Sequence, residues 1–199
     1  MLKKMLPWIL FLMTKPIFSK SISLSFDDIP RKDSYLTGTI RSKKIIESLA
    51  HHKAQAVFYV NSSKVSQDGL NRIRSYADSG HIIGNHTHSH PSADMILQDV
   101  FLEDFKTGDR LLKSWGFKPT WFRYPYLHRG TSLDQINAIR KEILSFGYGD
   151  GFVTVDNYDW YMDAMFQQAV SKGRTINFEQ LKKFYVETLE AVLNTQPAV

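Results

Sequence analysis

Four of the chain's seven histidines, His81, His86, His88 and His90, fall within a single ten-residue stretch. His86 and His90 are four apart, so a helical turn or an equivalent tight loop lets both imidazoles reach one ion. A carboxylate from elsewhere would complete three protein ligands and leave a position open for water, as in catalytic zinc sites. Asp27 and Asp28 are adjacent at the end of the alternating segment Ile22–Phe26, which reads as a short strand. Neighbouring side chains on a strand point to opposite faces, so one carboxylate can ligate while the other stays free as a general base. A divalent ion acidifies water and polarises a carbonyl, and Arg123 is placed to keep the base ionised and oriented. These are the parts of a metal-dependent hydrolase acting on an amide or ester. Singly, each has a bland alternative. An Asp-Asp pair is commonly a turn or cap, an arginine among aromatics commonly a structural ion pair, and Trp160 commonly core.

What argues for a site is where these residues fall among the elements. The pattern predicts strands at Ile22–Phe26, Ala56–Val60, His81–Asn85, Trp121–Tyr124 and Gly151–Val155. Helices are predicted over Ile40–His51, Asp68–Asp78 (closed by Gly80), Ser92–Trp115 (capped by Ser92, closed at Gly116) and from the Ser132 cap to Ser145. Two more follow, Trp160–Lys172 and Phe178–Leu193, the second capped by Asn177. The alternation argues for a mostly parallel sheet, open and doubly wound or a barrel. Four of the strands run into polar residues: Asp27-Asp28, Asn85 to His90, Arg123 to Tyr126, and Asp156 to Trp160. In parallel α/β folds the carboxyl ends of strands share one face, where ligands bind.

Composition narrows the chemistry. There is no cysteine among 199 residues, which excludes disulfides, thiolate metal ligands and a cysteine nucleophile. The formal net charge is +5, but leaving out Lys3, Lys4 and Lys15 brings it to +2. No basic stripe marks the remainder, so no nucleic-acid partner is expected. Lys3 and Lys4 before the apolar run Met5–Met13 read as an export signal, or an N-terminal anchor, over residues 1–20. That run is shorter than the roughly 20 residues of a membrane span, so no stable span is expected.

Four segments together resemble the polysaccharide deacetylases, the NodB-homology domain of carbohydrate esterase family 4. Phe26-Asp27-Asp28-Ile29-Pro30 is similar to the family's first motif and Asn85-His86-Thr87-His88-Ser89-His90-Pro91 to its second. Phe122-Arg123-Tyr124-Pro125-Tyr126 is similar to the third, and Asp156-Asn157-Tyr158-Asp159-Trp160 to the fourth. The resemblance runs from Ser21 to Leu193, within a domain read as 21–199. It implies an α/β fold, a distorted TIM-like (β/α) barrel, and a divalent metal, commonly zinc. It also implies Asp27 as general base and Asp28, His86 and His90 as metal ligands. Arg123 would orient Asp27, and the Tyr126 backbone N–H would hold the oxyanion. Trp160 would line the acetyl pocket, and Asp159 would tune a proton-donating histidine.

Two departures from the pattern stand out. Ile29 replaces the usual glycine of the first motif, so the loop there is expected to differ in backbone angle or access. The fifth motif, an apolar strand ending in Leu-x-His, is not found before Val199. The barrel is therefore expected to lack its last strand or strands. His128 is the nearby spare for a proton donor, and His88 is expected to be exposed and incidental. Three functions stay open: an exported N-deacetylase of envelope or chitin-like polysaccharide containing N-acetylglucosamine, a hydrolase of a small C–N or acetyl-ester substrate, and an inactive glycan- or metal-binding domain.

Overall fold

The computed structural model describes residues 22–195. The expected export signal, residues 1–20, lies outside the described residues. Five strands, β1 (Leu24–Ile29), β2 (Ala56–Val60), β3 (Ile82–Asn85), β4 (Trp121–Phe122) and β5 (Gly149–Asp150), are joined by helices. The first four of these are α1 (Gly38–His51), α2 (Gln67–Asp78), α3 (Gln98–Ser114) and α4 (Leu133–Ser145). Then α5 (Asp159–Ser171) and α6 (Phe178–Thr195) follow.

All strand pairs are parallel, and neighbours in the sheet are neighbours in sequence. A doubly wound sheet would reverse its order part-way. This one winds in a single direction, as a barrel does, and among the described residues it stops at five strands without closing. The expected incomplete (β/α) barrel is the architecture found. No helix among the described residues is long and apolar enough to cross a membrane.

Two apolar clusters hold the layers together. Phe58 and Val60 of β2 pack with Leu49 of α1 and with Ile73 and Tyr76 of α2. Phe101 and Phe105 of α3 pack with Phe122 of β4, Ile139 and Ile143 of α4, and Tyr148. Burying side chains of this size contributes roughly 1.5–3 kcal/mol each. The expected caps are present at Ser132 and Asn177, whose Oγ and Oδ1 accept backbone N–H groups at the starts of α4 and α6, and the structure adds Thr37 Oγ1 and Ser66 Oγ at the starts of α1 and α2.

Several element boundaries differ from expectation, β4 among them, which stops at Phe122 rather than Tyr124; three have a clear tertiary reason. β1 starts two residues later and runs on through Asp27 and Asp28 to Ile29, which is buried against β2. α3 begins at Gln98 rather than Ser92, because residues 92–94 are engaged elsewhere. Ser92 Oγ lies 2.8 Å from His128 Nδ1, the Ala93 carbonyl accepts Gln135 Nε2, and Asp94 Oδ1 accepts the Gly130 N–H. The fifth strand is Gly149–Asp150, not Gly151–Val155. Gly151 N–H still donates to the Phe122 carbonyl, but its own carbonyl accepts Arg123 Nε at 2.8 Å and the ladder ends.

Gly108 of α3 lies against the carboxyl end of β3. A Cβ there would stand 2.7 Å from Asn85 Oδ1 and 3.0 Å from the Thr87 carbonyl carbon. Gly108→Ala is therefore expected to destabilise by about 1–3 kcal/mol through overpacking, despite the better helix propensity of alanine. Urea unfolding midpoints measure it.

Candidate active site

The first motif sits in a β-bulge. The β1–β2 register pairs Phe26 with Phe58 and then Ile29 with Val60, so three steps along β1 match two along β2. A bulge bends its strand and re-aims side chains. Here the extra residue lets the two carboxylates diverge. Asp27 Oδ1 accepts Arg123 Nη1 at 2.7 Å. Asp28, with φ 57°, directs Oδ1 towards His90 Nε2 at 3.4 Å and Lys64 Nζ at 3.5 Å. The left-handed backbone falls on Asp28, not on Ile29, so the residue that replaces the family's glycine needs no unusual angle.

The second motif leaves β3 in a tight loop with Thr87 at φ 68° and His90 at φ 64°. Side-chain acceptors hold that path. Asn85 Oδ1 takes the Thr87 N–H, and Thr87 Oγ1 takes the His90 N–H. Asp104, from α3, takes the His88 and Ser89 N–H groups at 2.8 and 2.9 Å and the Ser89 hydroxyl at 2.6 Å. His86 is 2% exposed, and its Nδ1–H donates to the Arg123 carbonyl at 2.8 Å. That bond fixes the tautomer and leaves Nε2 with its lone pair free.

One donor atom each from Asp28, His86 and His90 lies within 4.8 Å of the other two. Asp28 Oδ1 is buried yet makes no hydrogen bond. A carboxylate oxygen removed from water ordinarily finds a partner, so an atom left this way beside two imidazoles fits a cation. Electrostatics favour the ligating forms. Burial lowers the pKa of both His86 and His90, which keeps them neutral. For Asp28, burial acts upward, but His90, Lys64, His86 and Arg31 outweigh it and the net shift is downward.

Arg123 ties these parts together. Besides Asp27 and the Gly151 carbonyl, its guanidinium donates to Ser25 Oγ at 2.7 Å and lies 4.2 Å from the centre of the Tyr59 ring. Tyr126, at φ 57° in a 3-10 turn, is largely exposed, and its ring stands 4.6 Å from that of His90. The turn's own bonds come from the Leu127 and His128 N–H groups, so the Tyr126 N–H stays outside them. Asp159 and Trp160 open α5, with Trp160 60% exposed beside Tyr158 and Tyr161. Burial first, then the like charge of Asp156, raises the Asp159 pKa. No ion pair or hydrogen bond links Asp159 to Arg123 among the described residues. His88 is half-buried rather than exposed, because its Nδ1 lies 2.9 Å from Ser62 Oγ.

The model of the family described as "Polysaccharide deacetylase" matches residues 15–142. The chain belongs to this family. A peptidoglycan-N-acetylglucosamine deacetylase of Bacillus cereus is 30% identical over 112 residues, 56% of this chain and 38% of that protein. Its counterpart in Listeria monocytogenes is 32% identical over 145 residues, 71% of this chain and 27% of the other. The chain thus spans well under half the length of these two curated relatives. The solved structure of the peptidoglycan deacetylase PdaC from Bacillus subtilis superposes with a TM-score of 0.60 at 22% identity, covering 88% of this chain and 69% of that one. This last likeness supports the barrel-type fold.

Two residues of the site escaped the sequence reading. Asp104 had a signal, since it is an acid flanking the buried stripe Phe101, Phe105, Gly108 and Leu112 on α3. Lys64 had none, because a lysine in a short connection reads as solvent-facing. Asp104→Ala would strip the acceptor from two loop N–H groups. It is expected to cost about 1–3 kcal/mol and to speed amide exchange selectively at His88 and Ser89, read by hydrogen-exchange mass spectrometry.

Proposed function

We propose that this chain is a metal-dependent hydrolase that removes N-acetyl groups from N-acetylhexosamine units of an exported polysaccharide containing N-acetylglucosamine, such as peptidoglycan or a chitin-like polymer. The observation that carries this reading is the separation of the two carboxylates by the bulge. One is locked to a buried arginine, and the other lies unbonded beside two neutral imidazoles. Family membership and relatives named for peptidoglycan deacetylation support the substrate class. The segment with lysines before an apolar run supports export.

In this reading Asp28, His86 and His90 hold a divalent ion, with zinc suited to a set of two imidazoles and one carboxylate. The ion, when bound, would polarise the acetyl carbonyl and acidify water. Asp27 accepts the proton of the attacking water, and Arg123, bonded to its Oδ1, keeps that carboxylate aimed. The Tyr126 N–H donates to the oxygen on which charge develops. Trp160, exposed at the start of α5, lines the acetyl side and offers an aromatic face to sugar. The departing amine needs a proton, and Asp159 serves the group that delivers it. His128 is the substitute donor, although Ser92 Oγ lies against its Nδ1.

Acetate release from N-acetylglucosamine oligomers, with elemental analysis of bound metal, tests the assignment. Asp27→Asn is expected to keep metal and lose about 10²–10⁴-fold in turnover. Asp28→Asn, His86→Ala and His90→Ala are expected to lose metal, whereas His88→Ala keeps it. Turnover of small ureides or acetyl esters in preference to the oligomers would replace the substrate while leaving the site in place.

A further inference from the structure

Lys64 is a charged group of the site that the proposed chemistry does not use. Its ammonium lies 3.5 Å from Asp28 Oδ1, the same oxygen that His90 Nε2 approaches at 3.4 Å, and it forms no hydrogen bond there. Its position is built rather than incidental. Lys64 ends a 3-10 turn, Ser62–Lys64, stitched to the loop that carries His90. Ser62 N–H donates to the Thr87 carbonyl, Ser63 N–H to the His88 carbonyl, and Lys64 N–H to the Asn61 carbonyl. Ser62 Oγ and His88 Nδ1 add a side-chain contact at 2.9 Å. The backbone of Lys64 therefore cannot drift away from Asp28 without disturbing the histidine loop.

We propose that Lys64 is a resident counterion of Asp28 that competes with the metal for this carboxylate and so weakens metal binding. The inference rests on the metal-site reading given above. An ion on Asp28 Oδ1 would stand about 2 Å from that oxygen, hence within about 6 Å of the ammonium unless the side chain swings out. That is shorter than the screening length of physiological salt, roughly 8 Å, so the repulsion is felt. Binding an ion then means both losing the Lys64–Asp28 attraction and placing like charges together. The side chain is 40% exposed, which leaves it a route to water at the cost of that attraction. The chain would hold its metal less tightly than three such donors allow.

Metal-stripped full-length wild type, Lys64→Met, Lys64→Gln and Lys64→Arg should be titrated with Zn2+ against a chromophoric chelator, at low and high salt. Lys64→Met and Lys64→Gln are expected to bind Zn2+ roughly three- to tenfold more tightly, with Lys64→Arg close to wild type. The gap should narrow at high salt. A gain in affinity is not the result of damaged folding, and circular dichroism identifies any variant that does not fold. Equal or weaker affinity in the folded neutral variants overturns the counterion role. If His90→Ala still abolishes uptake in that case, the metal site itself stands. A wild-type chain that takes up no Zn2+ overturns both.

Discussion

The structure turns on the burial of one guanidinium. The Arg123 side chain is only 6% exposed, and a charge taken out of water must be paired and hydrogen-bonded. The chain meets that demand from several directions: Ser25 and Asp27 of β1, the Gly151 carbonyl beyond β5, and the ring of Tyr59 on β2. The backbone of the same residue reaches β3, with its N–H on the Asn85 carbonyl and its carbonyl holding His86. One residue, just past β4, thereby contacts β1, β2, β3 and the residue that follows β5. Because Asp27 is committed to Arg123, only Asp28 of the pair is left to face the imidazoles.

A second constraint is the concentration of left-handed backbone at the carboxyl ends of the strands. Asp28, Thr87, His90, Tyr126 and Leu127 all have positive φ without being glycine. Such residues cost of order 1–3 kcal/mol each and persist where surrounding bonds over-determine them. Here the surrounding bonds are visible. Asn85, Thr87 and Asp104 accept loop N–H groups around His90, and the bulge in β1 carries Asp28. The two apolar clusters below contribute rigidity, so that the strained face is held by a packed base.

Much of this was legible in the residues. The helix caps at Ser132 and Asn177, the five strands and the parallel alternation follow from local signals, and the structure has them. The gathering of Asp28 with His86 and His90 was foreshadowed by the four-residue spacing of the histidines and the paired acids. The start of α3 was misread because Ser92 has the chemistry of a cap but spends its hydroxyl on His128 and the Asp94 N–H. The last strand was misplaced because the Gly151 carbonyl goes to Arg123 instead of continuing the ladder.

The amino-acid order by itself determined the elements, the parallel winding and the identities of the acids and histidines at strand ends. These depend on periodicity, capping and spacing within a few residues, which any short window contains. Only the tertiary structure decided how the Asp27–Arg123 pair is bonded, which oxygen is left unbonded, and that Asp104 and Lys64 belong to the site. Asp27 and Arg123 are 96 positions apart, and Asp104 lies 16 positions from the His88 N–H it accepts. Contacts of that separation are set by how the helices dock on the sheet and by one extra residue in β1. A bulge has no local spelling here, because the strand propensity of Leu24–Ile29 is the same with or without it.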